Sequence, residues 1–187
     1  CEISSALAYA REHGLIHRDV KPENIFVDSL GRFKLGDFGI ARTIEKTTGG
    51  LSKKGTESYM APEVYLGKKY YEQVDIYSLG IVLYRFLNNN RLPFYPPVPE
   101  KISYSSREEA LMKRMQGLPF PEPQKGSAEL KRIILKACEY LPENRYDSMN
   151  ELHNDLQEVE TGDGGDPPPP PEHKIGKYLI AGVLSIC

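Results

Sequence analysis

One stretch of the chain, QVDIYSLGIVLYRFL from Gln73 to Leu87, limits the folds that this protein can adopt. When the stretch is wound into a helix, apolar residues lie on nearly every side, so no broad face of the helix suits water. Such a helix is stable where other elements surround it. We therefore expect residues 73–87 to form a helix that is buried in the core of a domain.

The first part of the chain predicts another helix followed by a small hairpin. Apolar residues recur at helical spacing between Ile3 and Ala10, and Gly14 ends that helix. The apolar run at 25–27 and the sequence FKLG at 33–36 are typical of short strands, and the sequence DSLGR between them is typical of a turn. The two strands are therefore expected to pair as a hairpin.

Three further helices are predicted at about 105–116, 127–139 and 148–160. Each begins near a serine, and the sequences SREEA and DSMNEL favour Ser106 and Ser148 as N-caps. Predicted helix far exceeds predicted strand. The expected fold class is α+β and mainly helical, a helical bundle with a small β-hairpin on one edge.

Composition narrows the classes of function. The chain has 187 residues, of which 40% are hydrophobic and 27% charged, which suits a soluble domain with a tail. Lys and Arg number 24 and Asp and Glu 26, so a basic protein that binds nucleic acid through phosphates is not indicated. The cysteines, Cys1, Cys138 and Cys187, lie far apart without metal-binding spacing, which favours unpaired thiols in a reducing compartment.

The charged loop HRDVKPEN, residues 17–24, carries groups that phosphoryl transfer requires. Asp19 could accept the proton of an attacking hydroxyl group, and Lys21 could reach a phosphoryl group in transit. Asn24 offers a neutral oxygen to a hard cation, and Asp37 in GDFGIA supplies a carboxylate if the hairpin folds back. A base, a cation for the phosphate and two oxygen ligands for magnesium together point to phosphoryl transfer.

Motifs along about residues 1–158 resemble those of the eukaryotic-type protein kinases. HRDVKPEN resembles the catalytic loop of that family, and DFG resembles its metal-binding motif. GTESYMAPE (55–63) resembles the end of the activation segment, and DIYSLG (75–80) the buried helix below the catalytic loop. Arg145 in PENRYDS resembles the family arginine that pairs with the glutamate of APE, here Glu63. These motifs identify the chain as similar to the C-terminal lobe of a Ser/Thr protein kinase.

The resemblance implies a role for each residue of the loop. Asp19 would be the catalytic base, and Lys21 would be a second catalytic residue that contacts the phosphates of ATP. Asn24 and Asp37 would ligate Mg²⁺ or Mn²⁺ and, together with Lys21, would hold the nucleotide. ATP and a divalent cation are therefore the expected cofactors.

The resemblance also indicates the acceptor and the supporting residues. Lys21, together with Gly55 and Thr56, points to Ser or Thr hydroxyl groups of a protein substrate. We interpret His17 as a packing residue rather than a base, although its unperturbed pKa would suit one. The residues expected to give structural support are His17, Phe38, Gly39, Thr56, Glu63, Asp75 and Arg145.

Arg18 suggests regulation by phosphorylation. An arginine beside the catalytic aspartate can pair with a phosphorylated activation loop and order it through charge-assisted hydrogen bonds. Thr47, Thr48 and Ser52 lie in the segment that would supply the phosphate, and autophosphorylation is one source of it. We therefore expect Arg18, Thr47, Thr48 and Ser52 to form a regulatory set.

The family pattern also requires an earlier lobe with a Gly-rich loop and a lysine in a V-A-I-K strand. Neither motif occurs in this sequence. We therefore expect a fragment, truncated at both ends, that lacks the N-terminal lobe and is inactive or nearly so by itself. The expected domain is 1–160, an incomplete kinase domain.

The C-terminal residues predict a linker and the start of a membrane span. Residues 161–175 are rich in Gly and Pro, which favours an extended spacer. Residues 176–187 end in YLIAGVLSIC, an uncharged apolar run preceded by the basic sequence HKIGK, and a full span needs about 20 such residues. This order resembles bacterial membrane-anchored Ser/Thr kinases, with a cytoplasmic kinase domain and a single C-terminal span. A short tail helix or strand is the alternative.

Two other functions remain open at this stage. A pseudokinase would keep the fold as a scaffold without turnover, although the presence of Asp19, Asn24 and Asp37 argues against it. A small-molecule phosphotransferase would keep a similar base and metal pair. It should lack GTESYMAPE, whose role in the family is to seat a peptide.

Overall fold

A computed structural model of the chain describes residues 1–37 and 56–162. The described residues are mainly helical, with a two-stranded antiparallel sheet, so the predicted α+β, mainly helical fold class is confirmed. The elements in chain order are α1 (Glu2–Glu12), β1 (Ile25–Val27), β2 (Phe33–Leu35), α2 (Pro62–Tyr65), α3 (Gln73–Leu87), α4 (Tyr104–Met115), α5 (Ala128–Ala137) and α6 (Met149–Gly162). Short 3₁₀ turns occur at Pro22–Asn24, Thr56–Ser58 and Pro142–Asn144.

Helix α3 is the central element and has the bounds that the sequence predicts. One face of it, including Ile76 and Leu79, packs in a cluster with apolar residues of α1, α5 and α6. The opposite face, including Tyr77 and Ile81, belongs to a second cluster that contains Tyr59. Both faces are covered because a helix with apolar residues on nearly every side gains free energy when both faces are buried.

Gly80 lets α3 and α5 approach closely. A Cβ atom at this position would lie 2.7 Å from the Sγ atom of Cys138 and 3.1 Å from the Cβ atom of Ala137. Any larger residue would push the two helices apart. Cys138 is buried and unpaired, and burial raises the pKa of its thiol to about 12, so the thiol stays protonated and packs as an apolar group.

The hairpin places the ends of two loops beside each other. Strand β1 pairs with β2 in the register Ile25↔Leu35, Phe26↔Lys34 and Val27↔Phe33. The Asp28 carboxylate closes the turn by accepting hydrogen bonds from backbone N–H groups of Leu30 and Arg32, which lower the pKa of this carboxyl group. Because β1 and β2 are antiparallel, the 17–24 loop before β1 and Asp37 after β2 lie at the same end of the hairpin.

The predicted N-cap of α4 is wrong. The helix begins at Tyr104, and the Ser103 hydroxyl accepts a hydrogen bond from the backbone N–H of Ser106, so Ser103 is the cap and Ser106 lies within the first turn. Three serines, Ser103, Ser105 and Ser106, lie close together here, and propensity alone does not choose among them. The Ser148 hydroxyl accepts from the backbone N–H of Glu151, as expected of an N-cap. Helix α6 continues to Gly162, two residues into the range 161–175 that the sequence predicts to be linker.

Candidate functional site

The carboxylate of Asp75 on α3 accepts hydrogen bonds from two backbone N–H groups of the 17–24 loop. Its Oδ2 atom accepts a hydrogen bond from the backbone N–H of His17 at 2.7 Å, and its Oδ1 atom accepts one from that of Arg18 at 2.8 Å. Arg18 has φ = 68°, in the left-handed region that side chains rarely adopt. Burial raises the pKa of the Asp75 carboxyl group, while the two N–H groups act to lower it. Asp75 thus stabilises a strained bend directly before Asp19.

His17 connects the loop to the end of the hairpin. Its side chain is fully buried. The Nε2 atom lies 2.9 Å from the carbonyl oxygen of Gly36, and the Nδ1 atom accepts the backbone N–H of Asp19 at 3.3 Å. A neutral ring with its proton on Nε2 satisfies both contacts. The imidazole is therefore occupied by backbone groups on both sides, as a packing residue would be.

Asp19, Lys21 and Asn24 meet at the mouth of the loop. The Lys21 Nζ atom lies 2.8 Å from Oδ2 of Asp19, and the Asn24 Nδ2 atom lies 3.2 Å from the same oxygen. Asn24 also donates to the backbone carbonyl of Asp19 at 2.8 Å and is buried. Because Nδ2 faces Asp19, Oδ1 is the atom of Asn24 that could ligate a cation. The three side chains that the sequence assigns to base, phosphate contact and metal ligand are thus brought together.

Asp37 follows β2 beside the same loop. The backbone N–H of Gly36 donates to the carbonyl oxygen of Asn24 at 2.9 Å, which ties the residue before Asp37 to the loop. Asp37 itself is exposed and has φ = 53°. Phe38 and Gly39 lie outside the described residues.

The donor set suits magnesium in part. An amide oxygen of Asn24 and a carboxylate of Asp37 are hard oxygen ligands, and Mg²⁺ usually binds one or two such protein groups together with water and substrate phosphates. Within residues 1–37 and 56–162, no group of three or more His, Cys, Asp or Glu residues could hold a metal ion by itself. The arrangement therefore fits a cation that arrives with a phosphate ligand.

Glu63 and Arg145 form a buried ion pair. The guanidinium Nη1 and Nη2 atoms lie 2.7 and 2.9 Å from the two carboxylate oxygens. Arg145 also donates to the backbone carbonyl oxygens of Gln73, Glu139 and Tyr140, so every N–H of the fork has an acceptor. The pairing expected from the motifs is present, and it joins α2 to α3 and to the segment before α6.

The regulatory residues are only partly described. The exposed side chain of Arg18 lies over the ring of Tyr70, with 5.7 Å between Cζ and the ring centroid. Thr47, Thr48 and Ser52 fall outside the described residues. The backbone of Thr56 begins a short 3₁₀ turn, and its side chain is not described.

One set of contacts escaped the sequence analysis: the side-chain hydrogen bonds to the backbone of residues 58–60. Arg114 donates to the backbone carbonyl oxygens of Ser58 and Met60, and Ser78 donates to that of Tyr59. A weak signal was available, because Arg114 lies four residues after Ala110 and so shares the buried face of α4. The segment that it contacts is more than fifty residues away in sequence, and no local pattern connects them.

The described residues thus form a helical domain with a hairpin beside a loop that brings Asp19, Lys21 and Asn24 together. The family model described as protein kinase domain matches residues 1–156. The chain therefore belongs to the protein kinase family.

Known relatives of the chain are Ser/Thr-protein kinases. It is 36% identical to the serine/threonine-protein kinase PknB of Mycobacterium tuberculosis over 170 residues, which cover 87% of this chain and 26% of that protein. It is 34% identical to a probable serine/threonine-protein kinase of Clostridium acetobutylicum over 161 residues, which cover 84% of this chain and 23% of that protein. The chain thus spans about a quarter of the length of these relatives.

A membrane span was predicted to begin at 176–187, beyond the described residues. Among the helices of 1–37 and 56–162, none is both long and apolar enough to cross a bilayer.

Proposed function

We propose that the full-length protein transfers the terminal phosphoryl group of ATP to Ser or Thr hydroxyl groups of proteins. The observation that carries this proposal is the convergence of Lys21 and Asn24 on Oδ2 of Asp19, in a loop held by Asp75. Membership in the protein kinase family and the names of the relatives support it.

In the proposed reaction, the Asp19 carboxylate orients the acceptor hydroxyl group and takes its proton. The hydroxyl oxygen then forms a bond to the terminal phosphorus atom, the bond from that atom to the bridging oxygen breaks, and ADP leaves with the electron pair. Lys21, which pairs with Asp19 at 2.8 Å, would turn to the phosphoryl oxygens when they are present. Asn24 keeps Asp19 in place by donating hydrogen bonds to the backbone carbonyl and to the carboxylate of Asp19.

Asn24 and Asp37 are proposed to hold Mg²⁺ or Mn²⁺. The ion would supply positive charge to the phosphates of ATP as negative charge shifts toward the leaving oxygen. Lys21, Asn24 and Asp37 would together form the part of the nucleotide site that this chain contains. His17, Asp75, Glu63 and Arg145 act in this scheme by positioning the loop and the segment after it.

The test is radiolabel transfer from ATP to protein substrates and to the enzyme itself by the full-length protein and two variants. Asp19→Asn removes the proton acceptor and should lower the rate by roughly 10²- to 10⁴-fold. Asp147→Asn is the matched control, because Asp147 is an exposed aspartate far along the chain from the loop, and it should behave as the wild type. A folded wild type that binds ATP but transfers no phosphate would show a scaffold instead of an enzyme.

We further propose that residues 1–187 are inactive alone and that the parent protein is held at a membrane by a span beginning in 176–187. The absence of a Gly-rich phosphate loop and of a V-A-I-K lysine from the sequence supports the first statement. The uncharged run YLIAGVLSIC after HKIGK supports the second. Activity of the 187-residue chain, or recovery of the full-length protein in the soluble fraction after cell lysis, would contradict these two points respectively.

A further inference from the structure

Three successive backbone carbonyl groups, those of the 58–60 segment, accept hydrogen bonds from buried side chains. Arg114 on α4 donates to the carbonyl oxygens of Ser58 and Met60, and its Nη2 atom lies 3.1 Å from the oxygen of Met60. The hydroxyl of Ser78 on α3 binds the second, that of Tyr59, at 2.8 Å. The segment follows directly from the 3₁₀ turn Thr56–Ser58, and hydrogen bonds to three successive carbonyl groups restrain its backbone.

Arg114 is not explained by packing alone. Its side chain is 3% exposed, and its partners in the described part of the chain are two carbonyl oxygens and the hydroxyl of Tyr77, 3.3 Å from Nε. No carboxylate of residues 1–37 or 56–162 forms an ion pair with it. Burying a cation costs free energy that an apolar residue of similar volume would avoid. What arginine adds is a planar fork that can hold two acceptors at once.

Tyr59 of this segment packs in the second apolar cluster, whereas the side of the segment toward α4 borders a cavity. This cavity of about 190 Å³ is lined among others by Glu57, Ser58, Leu92, Tyr104 and Arg114. Backbone beside a cavity has fewer packing contacts to restrict it, so ordering it there costs conformational entropy that another interaction must offset. The guanidinium group of Arg114 therefore restrains the 58–60 segment on the side that borders the cavity.

We propose that Arg114 is a positioning residue that fixes the 58–60 segment in the conformation that binds the protein substrate. This inference rests on the proposed kinase function and extends it, because the segment belongs to GTESYMAPE, the stretch expected to seat the substrate. Arg114 lies outside the 17–24 loop, and its hydrogen bonds reach the 58–60 segment and Tyr77. It therefore affects substrate binding and leaves the phosphoryl-transfer groups unchanged.

The experiment compares full-length wild type, Arg114→Met, Arg114→Lys and the control Lys113→Met. Lys113 is on the same helix, carries the same charge and pairs with Glu109 on the surface. We measure kcat and KM for a protein or peptide substrate, KM for ATP, and ATP hydrolysis without substrate. Arg114→Met should raise the KM for the peptide about tenfold or more, since it removes two hydrogen bonds from a charged donor. The KM for ATP and the rate of ATP hydrolysis should stay within about twofold of wild type.

Arg114→Lys should lie between Arg114→Met and wild type, because a single ammonium group can reach one of the two carbonyl oxygens but not span both. Lys113→Met should match the wild type. A peptide KM for Arg114→Met within about twofold of wild type would overturn the inference. An equal loss of ATP hydrolysis and peptide phosphorylation would also overturn it, because that pattern indicates a general folding role.

Hydrogen exchange separates this inference from the proposed function. In Arg114→Met, amide exchange should accelerate at 57–61, where the backbone N–H of Met60 bonds to the Glu57 carbonyl, and stay unchanged in α3 and α6. This result supports the positioning role even if the wild type transfers no phosphate, in which case the proposed function fails alone. Unchanged exchange at 57–61 contradicts the positioning role whatever the activity.

Discussion

The carboxylate of Asp75 accepts the backbone N–H of Arg18 at 2.8 Å, across 57 residues of sequence, and Arg18 has φ = 68°. A side chain in the left-handed region costs about 1–2 kcal/mol, so a partner must hold the residue there. Asp75 does so from the first turn of the buried helix α3. The position of Asp19, the next residue, thus depends on a carboxylate in the core.

We predict that Asp75→Asn disrupts the loop. The amide replaces one of the two carboxylate oxygens with an NH2 donor, which then faces the backbone N–H of His17 or of Arg18 in place of an acceptor. Loss of a hydrogen bond to a charged acceptor should destabilise the fold by about 2 kcal/mol. Urea denaturation of the full-length protein measures the stability, and phosphate transfer should fall well below wild type at temperatures where the variant is folded. Wild-type activity would show that the loop keeps its conformation without Asp75.

We predict that the Glu63–Arg145 pair is needed for stability. Arg145→Met removes the cation, so the buried carboxylate of Glu63 and three backbone carbonyls are left unpaired. The expected loss in free energy of unfolding is about 3–5 kcal/mol. The exposed pair of Glu129 and Arg132 provides the comparison, and Glu129→Gln should leave the urea midpoint unchanged. An equally small effect at Arg145 would contradict the prediction.

We predict that Asn24→Asp is as impaired as Asn24→Ala. The aspartate would keep an oxygen for the metal but would lose both hydrogen bonds to Asp19 and place a second carboxylate beside it. The rate of phosphate transfer should fall in both variants, and the Mg²⁺ concentration for half-maximal rate should rise about 10- to 100-fold in Asn24→Ala. Magnesium titrations of the full-length variants test this. Near-normal activity of Asn24→Asp would restrict the role of Asn24 to metal binding.

We predict that alanine at Thr47 and Thr48 together lowers the activity of the full-length enzyme. A phosphate on either residue would pair with Arg18, whose exposed side chain lies over the Tyr70 ring. In Arg18→Gln, the same two alanines should have no further effect, which a double-mutant cycle detects. Phosphopeptide mapping identifies the modified residues. Unchanged activity together with an unchanged phosphopeptide map would refute the regulatory role.

Several elements could be predicted because their signals are local. The bounds of α3 follow from apolar residues on every side, and the Ser148 cap follows from a hydroxyl three residues before the N–H that it binds. The HRDVKPEN motif likewise places Asp19, Lys21 and Asn24 within one short loop. The N-cap of α4 was predicted wrongly, because neighbouring serines have nearly equal propensity and tertiary contacts decide where the helix begins.

The sequence by itself determined a mainly helical domain with a hairpin and the residues from which a phosphoryl-transfer site would be built. Only the tertiary structure decided how those residues are held: Asp75 under Arg18, Gly36 against His17, and Arg114 on the 58–60 segment. These contacts join residues 19 to 57 positions apart, and they form because polar groups that folding removes from water need hydrogen-bond partners. Helix and motif patterns act over a few residues, whereas the satisfaction of a buried carboxylate or guanidinium depends on the whole fold.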